Sequence, residues 1–171
     1  MNRSMSLVAV AAIVLGISPR IAIAGEMPNY SGKYLQEQSK KEASTLPDSI
    51  LEVTQTEDAV VITQEIYGKR VTGHCPFNGS EGEYTSPGGI LGKCKARLDQ
   101  KSLTVESLLI AHTPSKETVR MHSKERWQLS KDGKTLTIRT DTDFPDFPGG
   151  VTSAVGDLTS STRKYARVDN P

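Results

Sequence analysis

Arg126-Trp127-Gln128-Leu129-Ser130-Lys131-Asp132-Gly133-Lys134-Thr135-Leu136-Thr137-Ile138 is the stretch from which the fold can be read. Apolar and polar residues alternate on both sides of Asp132-Gly133, a dipeptide that supplies the positive φ angles a tight hairpin turn demands. A turn at those two residues sets Leu129 opposite Leu136 and Trp127 opposite Ile138 on one face. Arg126, Gln128, Thr135 and Thr137 then project from the other face. Two strands read independently agree on a single apolar face, and a slip of one residue would destroy that agreement.

The same test succeeds upstream. A turn at Gln100-Lys101 pairs Leu98 with Leu103 and Ala96 with Val105, and it sends Lys95, Arg97, Thr104 and Glu106 to the opposite side. A turn at Glu57-Asp58 places Val53 opposite Ile62. Further strands are predicted near residues 30–38, 70–74 and 160–168, for about eight or nine in all. Successive hairpins make an antiparallel meander, and a sheet of that size with one apolar face loses its exposed edges most simply by closing into a barrel. A β-sandwich is the alternative.

The N-terminus reads as an export signal. Arg3 precedes an apolar run over residues 7–17, too short for a membrane span of about 20 residues but suited to a signal-peptide core. Ala22-Ile23-Ala24 provides the small residues of a cleavage site, so residues 1–24 are expected to be removed before Gly25, leaving residues 25–171 as one domain with no membrane span. Cleavage turns 21 basic and 20 acidic residues into 19 and 20. A near-neutral chain has no general attraction to nucleic acid. Export, to the periplasm or beyond, is into an oxidising compartment, where Cys75 and Cys94 should form a disulfide.

A set of residues in order carries a resemblance: Tyr30-Ser31-Gly32-Lys33-Tyr34, Ser39-Lys40, Pro47, Gly79-Ser80-Glu81, Pro87-Gly88-Gly89, and the hairpins around residues 98–107 and 126–138. Together they resemble secreted bacterial lipocalin-like proteins, a largely uncharacterised family of β-barrels that open on a Ser-Gly strand and close on a Tyr-containing one, here around Tyr165. Leu98 stands where that pattern often has Trp, and Gln100 where it often has Gly. The resemblance implies a lipocalin-like (calycin-type) barrel and brings no catalytic residues with it.

Candidate chemistry is sparse. His74, His112 and His122 have no ligand-pair spacing, and His122 shares a polar face with Arg120 and Lys124. Asp141, Asp143 and Asp146 lack the Gly and terminal Glu of a calcium loop, and Pro145 and Pro148 interrupt them. There is no Gly-x-Ser-x-Gly elbow and no phosphate loop. Lys93, Lys95 and Arg97 alternate outward, as a solvated face does. No metal or cofactor is called for, and nothing supports assigning an enzymatic role, although barrels can host chemistry without a linear motif.

Binding is therefore the leading reading: an exported protein that holds a small, partly apolar ligand in the barrel or at its mouth. The alternative is a non-catalytic envelope protein with a filled barrel, acting through its surface on another exported protein or a polysaccharide. The candidate site lies on the strand whose inward set is Val119, Met121, Ser123, Glu125, Trp127 and Leu129. A carboxylate on that face must reach solvent at the open barrel end, find a basic partner, be displaced by a bulge or be used. Trp127 would meet the ligand's apolar body, Ser123 and Glu125 its polar end, and Phe144 and Phe147 would supply a flap.

Overall fold

Alternating sequence builds alternating burial in a computed structural model that describes residues 27–37, 49–66, 68–86, 89–112, 118–145 and 160–168. The leader expected over residues 1–24 lies outside the described residues. Ten strands follow one another: β1 (Gly32–Gln36), β2 (Ile50–Gln55), β3 (Ala59–Ile66), β4 (Lys69–Pro76), β5 (Gly82–Thr85), β6 (Leu91–Leu98), β7 (Leu103–His112), β8 (Thr118–Leu129), β9 (Thr135–Asp143) and β10 (Ser160–Arg167). Each pairs antiparallel with its sequence neighbour, and β1 also pairs with β10. The meander closes into an all-β antiparallel barrel and leaves no free sheet edge among these strands.

The hairpin registers are those the apolar pattern dictates. Leu129 faces Leu136 and Trp127 faces Ile138; Leu98 faces Leu103 and Ala96 faces Val105; Val53 faces Ile62. The strand count is ten rather than eight or nine, and the strand without a sequence signal is β5. Its four residues are too few for alternation to register. The turn in the 126–138 hairpin also differs in detail. Gly133 N–H donates to Ser130 O at 2.9 Å and Ser130 N–H to Thr135 O at 2.8 Å, so the tight turn centres on Lys131-Asp132, with Gly133 following at φ 69°. The loop remains symmetric about the Asp132-Gly133 bond, which is why the register is unchanged.

The hairpin at Gln100-Lys101 turns without glycine because Asp99 does the work. Its Oδ1 accepts the N–H groups of Lys101 at 2.8 Å and Ser102 at 2.7 Å. Those bonds hold its carboxyl below the usual carboxylate range, that from Lys101 first.

The core sits toward one end of the barrel. Trp127, Tyr30, Tyr34, Tyr165, Leu51, Leu103, Leu136 and Val60 are all shut off from solvent there. Tyr30 anchors the chain at that end, its hydroxyl donating to Trp127 O at 3.0 Å, while Tyr34 donates to Tyr30 O at 2.9 Å. Arg167 closes the same end: its guanidinium donates to Ser31 O and Gly133 O and lies 5.4 Å over the Tyr34 ring.

Cys75 on β4 and Cys94 on β6 form the expected disulfide and reach across the short β5 between them. Cross-linking a loop of about 20 residues restricts the unfolded chain by on the order of 3 kcal/mol. Gly82 of β5 lies opposite Cys94, and any Cβ there would collide with His74 O. The crowding explains a glycine inside a strand.

Candidate functional site

From Trp127 toward the N-terminal end of β8, the inner wall changes character. Glu125, Ser123, Met121 and Val119 point inward by alternation, and all are only partly buried. Ala111 on β7 and Thr142 on β9 share this state. Solvent thus reaches the inner wall above a packed floor.

Glu125 meets a basic partner. Its Oε2 accepts the Trp127 indole N–H at 2.9 Å, and its Oε1 lies 3.4 Å from the Thr140 hydroxyl and 3.8 Å from Nη2 of Arg163. Arg163 comes from β10, whose alternation puts Arg163 and Tyr165 on one face, and its Nη2 is 3.5 Å from Thr140 Oγ1. Its Nε is buried with no hydrogen-bond partner. Such a donor is costly to leave unpaired.

Further polar groups line the same region. Tyr84 of β5 faces the interior, and burial, reinforced by the Glu125 charge, pushes its phenol up to about 12. Tyr165, also raised by burial, accepts the Gln64 amide N–H at 3.1 Å. The Ser123 and Thr142 hydroxyls lie 3.1 Å apart. The result is a patch of hydrogen-bonding groups around one carboxylate and one guanidinium, with Met121, Val119 and Ala111 as apolar wall beyond it. An amphipathic molecule suits such a surface.

The structure brings Trp127, Glu125 and Ser123 onto this wall at different depths. Trp127 lies in the floor, 1% exposed, and touches the site through its N–H to Glu125. Phe144 follows β9 and is partly buried; Phe147 lies outside the described residues. Arg163, Thr140, Tyr84 and Gln64 were not singled out from sequence. Arg163 shares the parity of Tyr165 and could have been, whereas Tyr84 belongs to the strand that gives no signal.

The other candidates lie outward. His74, His112 and His122 are exposed, and His122 Nδ1 is 3.8 Å from Asp143. Asp141 pairs with Arg139 at 3.6 Å, and Asp146 is outside the described residues. An open concavity of about 560 Å³ is lined by β6 to β9, both by outward residues such as Lys95, Glu106 and Lys124 and by Ser123 and Thr142 of the inner wall. Across it, Glu106 bridges Lys95 at 3.3 Å and Lys124 at 3.1 Å. The Lys124 and Lys95 ammonium groups hold its carboxyl below the usual range. Glu106, Lys95 and Lys124 compensate one another in solvent, whereas the interior patch holds the buried, unpaired Arg163 Nε and is the better candidate.

No family model and no curated protein matches the chain. Solved structures do. One described as a REP1-NXSQ fatty acid transporter superposes with a TM-score of 0.54 at 16% identity, covering 82% of this chain and 97% of its own. Zebrafish ileal bile acid-binding protein in complex with cholic acid gives 0.52 at 15%, covering 81% and 98%. At these identities the likeness is one of fold: a closed, antiparallel ten-stranded barrel.

Proposed function

We propose that the protein is an exported binding protein that holds a small amphipathic molecule inside its barrel, against the wall formed by Glu125, Ser123, Arg163 and Thr140. One observation carries the reading: a charged, hydrogen-bonding patch lies on the inner wall above a packed floor, where a purely structural barrel would place apolar side chains. The names of the two similar structures, a fatty acid transporter and a bile acid-binding protein, support the same ligand class. Trp127 forms the floor, Met121 and Val119 embrace the apolar body, and Phe144 flanks the mouth. Export, to the periplasm or beyond, has the Cys75–Cys94 disulfide in its support.

Native mass spectrometry of protein recovered from the cell envelope or medium tests both parts. The expected spectrum has a chain starting at Gly25 with one disulfide and a small-molecule adduct that organic solvent strips away. A chain retaining residues 1–24 would contradict export. Bare protein that also takes up none of a panel of long-chain alcohols, acids and amines would contradict binding.

A further inference from the structure

The charges already inside the barrel constrain what its ligand can be. We infer that the ligand's polar end is uncharged, a hydroxyl or carbonyl oxygen seated between Glu125 and Arg163, with its apolar body directed toward Met121 and Val119. The inference rests on the reading that a ligand enters the barrel, and it adds the chemical class.

Glu125 and Arg163 face each other at 3.8 Å, with side chains 25% and 33% exposed, and their charges cancel. A ligand carboxylate set against Arg163 would lie within a few ångströms of the Glu125 carboxylate. Attraction to one group would be offset by repulsion from the other, since the Coulomb energy depends on distance alone for unit charges in the same medium. An ammonium against Glu125 meets the mirror-image problem at Arg163. Either ion also leaves water on entry and gains nothing net to offset that cost. Glu125 is unable to swing aside freely, because its Oε2 holds the Trp127 indole at 2.9 Å.

A neutral oxygen escapes these costs and meets a need. The Arg163 Nε–H is buried without an acceptor, and a hydroxyl or carbonyl oxygen supplies one. A hydroxyl can in turn donate to Glu125, whose carboxylate has lone pairs to spare beyond the Trp127 and Thr140 contacts. The Tyr84 phenol, kept protonated by burial, adds a neutral group beside the same pair.

Three probes with one ten-carbon tail separate the possibilities: 1-decanol, decanoate and decylammonium, titrated at pH 8 against the disulfide-bonded mature chain. The readout is emission from Trp127, the sole tryptophan, checked by calorimetry. Decanol should bind at least about tenfold more tightly than either ion, a ratio that corresponds to about 1.4 kcal/mol. Glu125→Gln, which leaves Arg163 uncompensated, should move the preference to decanoate by about tenfold or more. Arg163→Gln should move it to decylammonium. The two variants are independent, so the failure of one to fold leaves the other as a test. Tighter binding of either ion by the parent overturns the neutral-head inference while leaving the binding function standing. If none of the three binds by fluorescence, calorimetry or native mass spectrometry, the binding function itself fails and takes this inference with it.

Discussion

Glu125 was conspicuous in the sequence because a carboxylate fell on an apolar face, and the structure resolves the conflict by an ion pair, an indole N–H and a hydroxyl. Its partner was less visible. Arg163 sits between Thr162 and Lys164 in a strand with few apolar residues, so only the parity of Tyr165 betrays its direction. At this scale the buried tyrosines also set a limit on stability. Burial pushes the Tyr30 and Tyr84 hydroxyls up to about 12 from 10.0, so the folded chain keeps two protons that the unfolded chain releases above pH 10. Stability should therefore be insensitive to these groups below pH 10 and fall as pH rises from 10 to 12. Urea melts at half-unit pH steps check this. Tyr84→Phe should flatten the slope, and a slope identical to that of the parent would show that Tyr84 titrates normally in the folded state.

Hairpins are the elements that sequence specifies best, because pairing two strands tests one pattern against another. The 126–138, 95–106 and 53–62 pairs all have the register their apolar residues demand. In the middle pair, Asp99 replaces the conformational freedom of a glycine with two accepted N–H bonds. β5 lay beyond this method. Its reason for existing is tertiary: it fills the space between β4 and β6, under a disulfide that joins those two strands. Gly82 is where that arrangement is tightest. Gly82→Ala should cost about 1–3 kcal/mol in overpacking, read as a lower urea midpoint with an unchanged m-value. An alanine variant as stable as the parent would mean that β5 has room to move away from His74 O, contrary to the close approach seen here.

At the scale of the whole molecule, closure of the sheet divides the interior into a floor of aromatic and aliphatic side chains and an accessible wall with polar groups. Closure and one apolar face were legible from alternation. The division was not, since it depends on which inward residues from distant strands arrive at the same height. Glu125 from β8, Thr140 from β9, Arg163 from β10 and Tyr84 from β5 come together only in the barrel, and no spacing along the chain announces them.

Methionine methyl NMR tests the placement of a ligand most directly. Met121 lies on the inner wall beyond Ser123, while Met27 is 51% exposed and precedes Tyr30 at the Trp127 end. With ¹³C-methyl-labelled mature protein and 1-decanol as ligand, the Met121 resonance should shift saturably, with the midpoint found from Trp127 emission, while the Met27 resonance stays in place. A saturable shift at Met27 with none at Met121 would put the ligand on the outside of the barrel and contradict an interior site.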